Sequence, residues 1–295
     1  MWCIYPILGL ASFVYSVIHW PLILAIVYTW GLSTTIVTLV VVVHVLQRQT
    51  TPWVPLRDFV SRYVSKHHRI HYMDDAPVSH GKPTVHLLFP HGMFCIEQLA
   101  LIVDLMGRQR ASGADTNRNV LMVDKVLYAL QPIAVVILQL VVGLSTRPLQ
   151  HTVIQRHLRS RNGDVFVMPG GFAETVGYTA DVQTIFTGTV RYWTRQCKEH
   201  RYNLRISHMY NGSSMISQSG YRMPFRMWLA NTWKIPIILP TGVQDVEKLV
   251  VRSWDYSPED IPESITADIQ QFTDVDRTSP DFPSASRQYN IMESA

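Results

Sequence analysis

The fold of this chain is indicated first by residues 84–92, Thr84-Val85-His86-Leu87-Leu88-Phe89-Pro90-His91-Gly92. Six residues that suit extended backbone precede a Pro-His-Gly turn, so this stretch predicts a short strand that ends before Pro90. The pattern returns at residues 164–168, which are followed by Pro169-Gly170-Gly171. Both stretches are therefore interpreted as a strand followed by a turn.

Predicted strands and helices alternate around these two stretches. Further strands are expected at 119–123, 203–209 and 235–239, and helices at 99–105, 151–161 and 188–200. This alternation is typical of an α/β domain with a mostly parallel sheet. Residues 126–144 are apolar except for Gln131 and Gln139. We expect them to form a helix kinked at Pro132, either buried or lying shallowly in a membrane, because a full crossing would separate the motifs on either side.

The first 47 residues contain no Lys, Arg, Asp or Glu. A membrane helix needs about 20 apolar residues, so this stretch is long enough to cross a bilayer twice. It lacks the basic start and short apolar core of a signal peptide. We interpret it as a retained two-helix transmembrane hairpin, residues 1–20 and 21–46, although Pro21 and Gly31 also allow one kinked re-entrant element. Basic residues from Arg48 onward then place the rest of the chain in the cytosol.

Four regions follow from these patterns: a transmembrane hairpin at 1–46, an interfacial connector at 47–83, a catalytic domain at 84–272 and a disordered tail at 273–295. The connector is predicted to contain an amphipathic helix near residues 57–72. The tail is rich in Ser, Pro and Asp, a composition that favours disorder.

Composition and charge indicate which classes of ligand and partner are expected. Only 16% of residues are charged, yet the net charge is +4 and the pI is near 9.0, which suits a surface against anionic headgroups or a phosphate-rich cosubstrate. No nucleic-acid role is expected, because no long basic cluster is interleaved with aromatics. No metal site is expected either, since His67, His68 and His71 are interpreted as part of a solvated or headgroup-facing surface and not as a ligand set.

His91 is the first candidate for chemistry. It follows a strand directly, and open α/β sheets bind ligands at the carboxyl edge of their strands. Imidazole is a suitable general base near neutral pH. A turn histidine that only bonds to backbone remains the alternative.

The second candidate is the block Gly170-Gly171-Phe172-Ala173-Glu174. Two glycines let backbone N–H groups approach a polar ligand closely. Glu174 can orient His91 or hold an acceptor hydroxyl, or it can serve only as an acidic residue at a helix start.

Together these motifs, on a membrane-anchored α/β domain, resemble the family of type-2 diacylglycerol acyltransferases and monoacylglycerol acyltransferases, which includes wax-synthesising relatives. Phe89-Pro90-His91-Gly92 is similar to the family's His-Pro-His-Gly motif. Gly170-Gly171 and Glu174 match its second block, and Met209-Tyr210-Asn211-Gly212-Ser213-Ser214 resembles its third. Phe89 departs from the family's first histidine, and Ser213 replaces a frequent carboxylate. The resemblance covers roughly residues 1–245.

The resemblance implies an acyl-CoA-dependent O-acyltransferase of the endoplasmic reticulum membrane that faces the cytosol, with the lipid droplet as a second location. Diacylglycerol is the expected acceptor, and triacylglycerol the product. His91 is the expected general base and Glu174 its carboxylate partner, while Pro90, Gly92, Gly170 and Gly171 shape the substrate and oxyanion site. Acyl-CoA is a cosubstrate, and no permanently bound cofactor is expected.

Several alternatives stay open. Monoacylglycerol, a fatty alcohol or a lysophospholipid can be the acceptor, or the chain can be a non-catalytic lipid-binding scaffold on the same fold. A homo-oligomer is also left open. Another glycerolipid acyltransferase class pairs His with Asp five residues later, but position 96 is Ile96 and the nearest acid is Glu97. Cys95 is interpreted as a packing residue, not a nucleophile.

Overall fold

The computed structural model describes residues 54–67, 69–73, 82–89, 95–130, 132–161, 163–169, 176, 182–186, 188–209, 216–218, 221–232, 240–243, 248–262, 265 and 288–292, with five single positions before residue 54. In chain order these residues form α1 (Val54–His67), β1 (Arg69–Tyr72), β2 (Thr84–Phe89), α2 (Ile96–Ala111), β3 (Val120–Val123), α3 (Lys125–Leu130), α4 (Pro132–Val142), β4 (Ser145–Pro148), α5 (His151–Ser160), β5 (Val165–Val167), β6 (Val182–Phe186), α6 (Gly188–His200), β7 (Asn203–Met209), β8 (Ile216–Gln218), α7 (Met223–Thr232), β9 (Pro240–Val243), β10 (Lys248–Tyr256) and β11 (Gln288–Met292).

The centre of the fold is a seven-stranded sheet in the order β1-β10-β7-β2-β5-β3-β4. Strands β7, β2, β5, β3 and β4 run parallel to one another. Strand β10 is antiparallel to β7, and β1 is parallel to β10. The predicted α/β class with a mostly parallel sheet is therefore confirmed. Two further pairs of strands form small separate sheets, β6 with β11 and β8 with β9.

Helices cover both faces of the central sheet. On one face Leu87 and Val167 pack with Trp193 of α6 and Leu158 of α5. On the other face Leu88 of β2 packs with residues of α2 in a second apolar cluster. Because both faces are covered, all six residues of β2 are buried, including the polar residues Thr84 and His86.

Helix α1 packs against α2 and α4 on the second face. Gly143, at the end of α4, has φ +73°, and a Cβ built there would lie 2.5 Å from Cδ of Arg57. Only glycine permits both the backbone conformation and this approach. The described residues of the apolar segment 126–144 include helices α3 and α4, and Val135, Gln139 and Val142 of α4 are buried.

Several sequence-based boundaries need correction. The end of the predicted connector, residues 69–72, is β1 of the central sheet, because it pairs in parallel with β10. The predicted disordered tail contains β11, which pairs with β6; Tyr289, Ile291 and Met292 suit a strand although the residues before them do not. Strand β10 was not predicted. The strand expected at 235–239 lies outside the described residues.

The predicted transmembrane hairpin, residues 1–46, also lies outside the described residues, except for the single positions 25, 28, 38, 42 and 45. Among the helices that are described, none combines the length and apolar character needed to cross a bilayer.

Candidate active site

Three neighbouring strands end together at one edge of the central sheet. Strands β7, β2 and β5 are adjacent and parallel. Phe89 of β2 pairs with His208 of β7, and Leu87 of β2 pairs with Val167 of β5. The carboxyl ends of parallel strands form the edge at which open α/β sheets bind ligands, so this edge, called here the motif edge, is the candidate site.

The predicted site residues follow this edge in sequence. The first motif begins directly after Phe89, and the second directly after Pro169, the last described residue beyond β5. The side chains themselves lie outside the described residues: Pro90, His91, Gly92, Gly170, Gly171 and Glu174. Strand adjacency therefore brings the starts of the two motifs to one edge, while the roles predicted for these six residues stay predictions.

Among the described acidic residues, Glu97 is the nearest in sequence to the first motif. It occupies the first turn of α2, two residues after Cys95, and only 7% of it is exposed. Burial raises the pKa of Glu97 to about 7, opposed by a hydrogen bond to its own backbone. A carboxyl group in this state gains and loses a proton near neutral pH.

Cys95 makes the turn from the first motif into α2. Its backbone is left-handed, with φ +54°, and its carbonyl accepts a hydrogen bond from the N–H of Leu99 at 2.9 Å. A non-glycine residue in this region costs about 1–2 kcal/mol. Cys95 therefore forms a strained turn at the start of α2.

His208, the second-last residue of β7, pairs with Phe89 and has no exposed surface. Burial lowers the pKa of His208 to about 3, so its imidazole is neutral at physiological pH. Sequence reasoning missed His208 and gave no weight to Glu97. The available signal was position, since a histidine near the carboxyl end of a strand lies close to the ligand-binding edge of a parallel sheet.

Exposed cations line α5 and α6 on the outer face. Helix α5 starts where β4 ends, and Nδ1 of His151 lies 3.2 Å from the hydroxyl of Tyr192 in α6, so both helices begin near the motif edge. The exposed basic residues are Arg156, Arg159 and Arg161 from the first helix and its end, and Arg191, Arg195 and Lys198 from the second. Arg191 is in the first turn of α6 and so lies nearest to that edge.

A separate buried polar network lies toward the opposite end of β2. Oδ1 of Asp164 accepts the N–H of Thr84 at 2.8 Å, and its Oδ2 is 3.2 Å from Nε2 of His86 and also accepts a hydrogen bond from Gln109. Asn119 bonds both Gln109, at 2.9 Å, and the N–H of Asp164, at 2.8 Å. Burial alone raises the pKa of Asp164, but hydrogen bonds from His86, Thr84 and Gln109 hold it below its usual range. This network joins β2, β5 and α2 and has a structural role.

Among the described residues, no group of three or more His, Cys, Asp or Glu side chains is arranged to hold a metal ion. A comparison with protein families finds no matching model, and a comparison with curated proteins finds no matching sequence.

Proposed function

We propose that this chain is an acyl-CoA-dependent O-acyltransferase that esterifies a lipid hydroxyl in a membrane, with diacylglycerol as acceptor and triacylglycerol as product. One observation carries the proposal. The strands that lead into the two motifs, β2 and β5, are adjacent and parallel, so the His91 and Gly170-Gly171 segments begin at one sheet edge, where such folds bind ligands.

In the proposed reaction His91 accepts the proton of the acceptor hydroxyl as that oxygen attacks the thioester carbonyl. The tetrahedral intermediate collapses by breaking the carbon–sulfur bond, and protonated His91 returns the proton to the departing CoA thiolate. General-base catalysis of this kind contributes about 10²- to 10⁴-fold. Backbone N–H groups near Gly92, Gly170 and Gly171 are the proposed donors to the oxyanion, and Glu174 orients His91.

Both reactants are large and amphipathic, and features of the described residues fit them. The exposed cations of α5 and α6 suit the phosphates of CoA, and Arg191 is nearest to the motif edge. Helix α1 exposes Val54 and Phe59, the latter stacked on Tyr63, with exposed Arg62 on the same surface. This pattern supports the proposed interfacial connector, beside a hairpin at 1–46 in the endoplasmic reticulum membrane.

The test is acyl transfer by membranes that carry the full chain, using labelled acyl-CoA with diacylglycerol, monoacylglycerol, lysophospholipid and fatty alcohol in parallel. We expect one ester product, lost in His91→Ala and retained in His71→Ala, which removes an exposed histidine of β1. A different acceptor would change the named substrate. No ester above control membranes would overturn the enzyme and favour the lipid-binding scaffold.

Two further measurements test the details. Turnover that is unchanged in Glu174→Gln would remove Glu174 from the mechanism. Protease treatment of sealed microsomes should cleave the region around His91, and protection of that region would contradict the cytosolic orientation.

A further inference from the structure

Helix α7 carries an exposed aromatic stripe. Phe225 and Trp228 are spaced by three residues, which places them on one face of the helix. Tyr221 lies two residues before the helix, from which it is separated by Arg222 in a left-handed conformation, φ +48°. The exposed fractions of Tyr221, Phe225 and Trp228 are 62%, 52% and 52%. The rings of Phe225 and Trp228 stack with centroids 6.0 Å apart. Three large exposed aromatic side chains within eight residues are more than the scattered apolar residues of an ordinary protein surface.

The charged side chains in the sequence around this helix are all positive. No Asp or Glu occurs from residue 200 to residue 244. Exposed Arg222 stands next to the stripe, with its guanidinium 5.3 Å from the ring centre of Tyr221. The other arginine of the helix, Arg226, is buried and donates to the carbonyl of Tyr221 at 3.4 Å. The helix thus turns one arginine inward to fix its start and keeps the other outside among the aromatics.

We propose that α7 docks this face onto an anionic lipid bilayer, lying in the plane of the interface. Trp and Tyr rings settle at the level of the headgroups, where one end of the ring is apolar and the other is wet. Arg222 meets lipid phosphates and serine carboxylates, and residues 200–244, which contain no acid, add no repulsion there. A protein partner would be expected to place acidic groups against Arg222, but a lipid surface supplies both the anions and the apolar layer that three aromatics need.

This inference stands apart from the acyl-transfer chemistry, because it uses no residue of the motif edge. It also identifies a contact separate from residues 1–46, so it is tested without removing them. The full chain is labelled with fluorotryptophan and placed in bilayer discs of equal parts phosphatidylserine and phosphatidylcholine. Trp228→Phe assigns the Trp228 fluorine resonance, and Trp193→Phe assigns that of buried Trp193, which is 1% exposed and serves as the internal control.

Two paramagnetic reagents are then compared: a lipid with a nitroxide near the glycerol end of its acyl chain, and a water-soluble gadolinium chelate. We expect the lipid nitroxide to remove most of the Trp228 signal and the chelate to leave it, while Trp193 responds to neither. Arg222→Glu should reverse the preference of Trp228. Broadening of Trp228 by the chelate would overturn the proposal, because the face would then be open to water. Insensitivity to both reagents would also overturn it, because a second copy or another protein segment would then cover the stripe.

Discussion

Replacing Glu97 by Gln should stabilise the protein at neutral and alkaline pH and leave it unchanged in acid. Glutamine keeps the shape and hydrogen-bonding capacity of a protonated glutamate but cannot ionise. In the folded chain burial raises the pKa of Glu97 from 4.5 to about 7. The folded state therefore prefers the protonated carboxyl, and the unfolded state releases the proton first.

The sign and size of this change in stability follow from proton linkage. Between pH 4.5 and about 7 the folded chain holds a proton on Glu97 that the unfolded chain has lost, so the contribution of Glu97 to stability falls as pH rises. At about 1.4 kcal/mol for each pH unit, the free energy of unfolding of the unsubstituted chain is lowered by about 3 kcal/mol above pH 7. Glu97→Gln has no such loss. For a domain of this size, 3 kcal/mol corresponds to a rise in Tm of roughly 6 to 12 °C.

The assay is thermal unfolding of the purified full chain and of Glu97→Gln across this pH range. The two Tm values should converge as pH falls toward 4.5 and separate steadily up to about pH 7, where the gap levels off. Glu259→Gln, which removes an exposed carboxylate on the turn after β10, should show no such separation. A gap between the Glu97 variant and the parent that is constant with pH would refute the reasoning, because it would mean that Glu97 ionises as readily in the folded state as in the unfolded one.

Three other predictions use the same unfolding measurements. Burial lowers the pKa of His208 from 6.5 to about 3, so below pH 4.5, where Glu97 is protonated in both states, His208 makes stability fall by about 1.4 kcal/mol per pH unit down to about pH 3. His208→Gln should flatten this acid limb, and an unchanged slope there would contradict it. Asp164→Ala should lower the free energy of unfolding by about 3–5 kcal/mol, because it leaves buried donors without an acceptor. The control is Asp115→Ala, which removes an exposed carboxylate. A similar small loss of stability in both variants would count against the network. Gly163→Ala should destabilise the protein more than Gly113→Ala does. Both glycines have positive φ, but only at Gly163 would a new Cβ meet a backbone carbonyl, at 2.6 Å. Equal losses of stability in the two variants would show that the backbone near Gly163 moves aside.

The parts of the fold that sequence predicts well are those set by local patterning. Helix α6 and strand β7 have the predicted bounds, Gly188–His200 and Asn203–Met209, because an amphipathic helical stretch is followed by a stretch in which polar and apolar residues alternate. Strands β1 and β10 were missed for the opposite reason. Arg69–Tyr72 becomes a strand by pairing with residues 248–251, a partner that no local pattern reveals. Polar residues along β10 also hide it, since a strand near the sheet margin can keep one side wet.

In the candidate site too, some features could be predicted from the sequence and others could not. That the first motif follows a strand at the carboxyl edge was predictable, since a β-rich run before Pro-His-Gly places it there. The importance of Glu97 was not, because its spacing from His91 matches no familiar pair. Its burial depends on how the start of α2 packs, which is a tertiary effect. His208 likewise gains its neutral state from neighbours on other strands.

Glu97 and His208 act on stability in opposite directions, and this changes what can be seen in the parent protein. Between pH 4.5 and 6.5 the ionisation of Glu97 makes stability fall as pH rises, while that of His208 makes it rise with a similar slope. The two effects nearly cancel, so the parent should look insensitive to pH in this window and each single variant should reveal the slope of the other group. The double variant should be flat again. The same two pKa values bear on the proposed chemistry. On the acid side of neutrality Glu97 and His208 are both uncharged, so neither places a buried charge at the edge where we propose that an oxyanion forms. Backbone N–H donors act most strongly in such a low-dielectric setting, and above pH 7 an ionised Glu97 should oppose the developing negative charge.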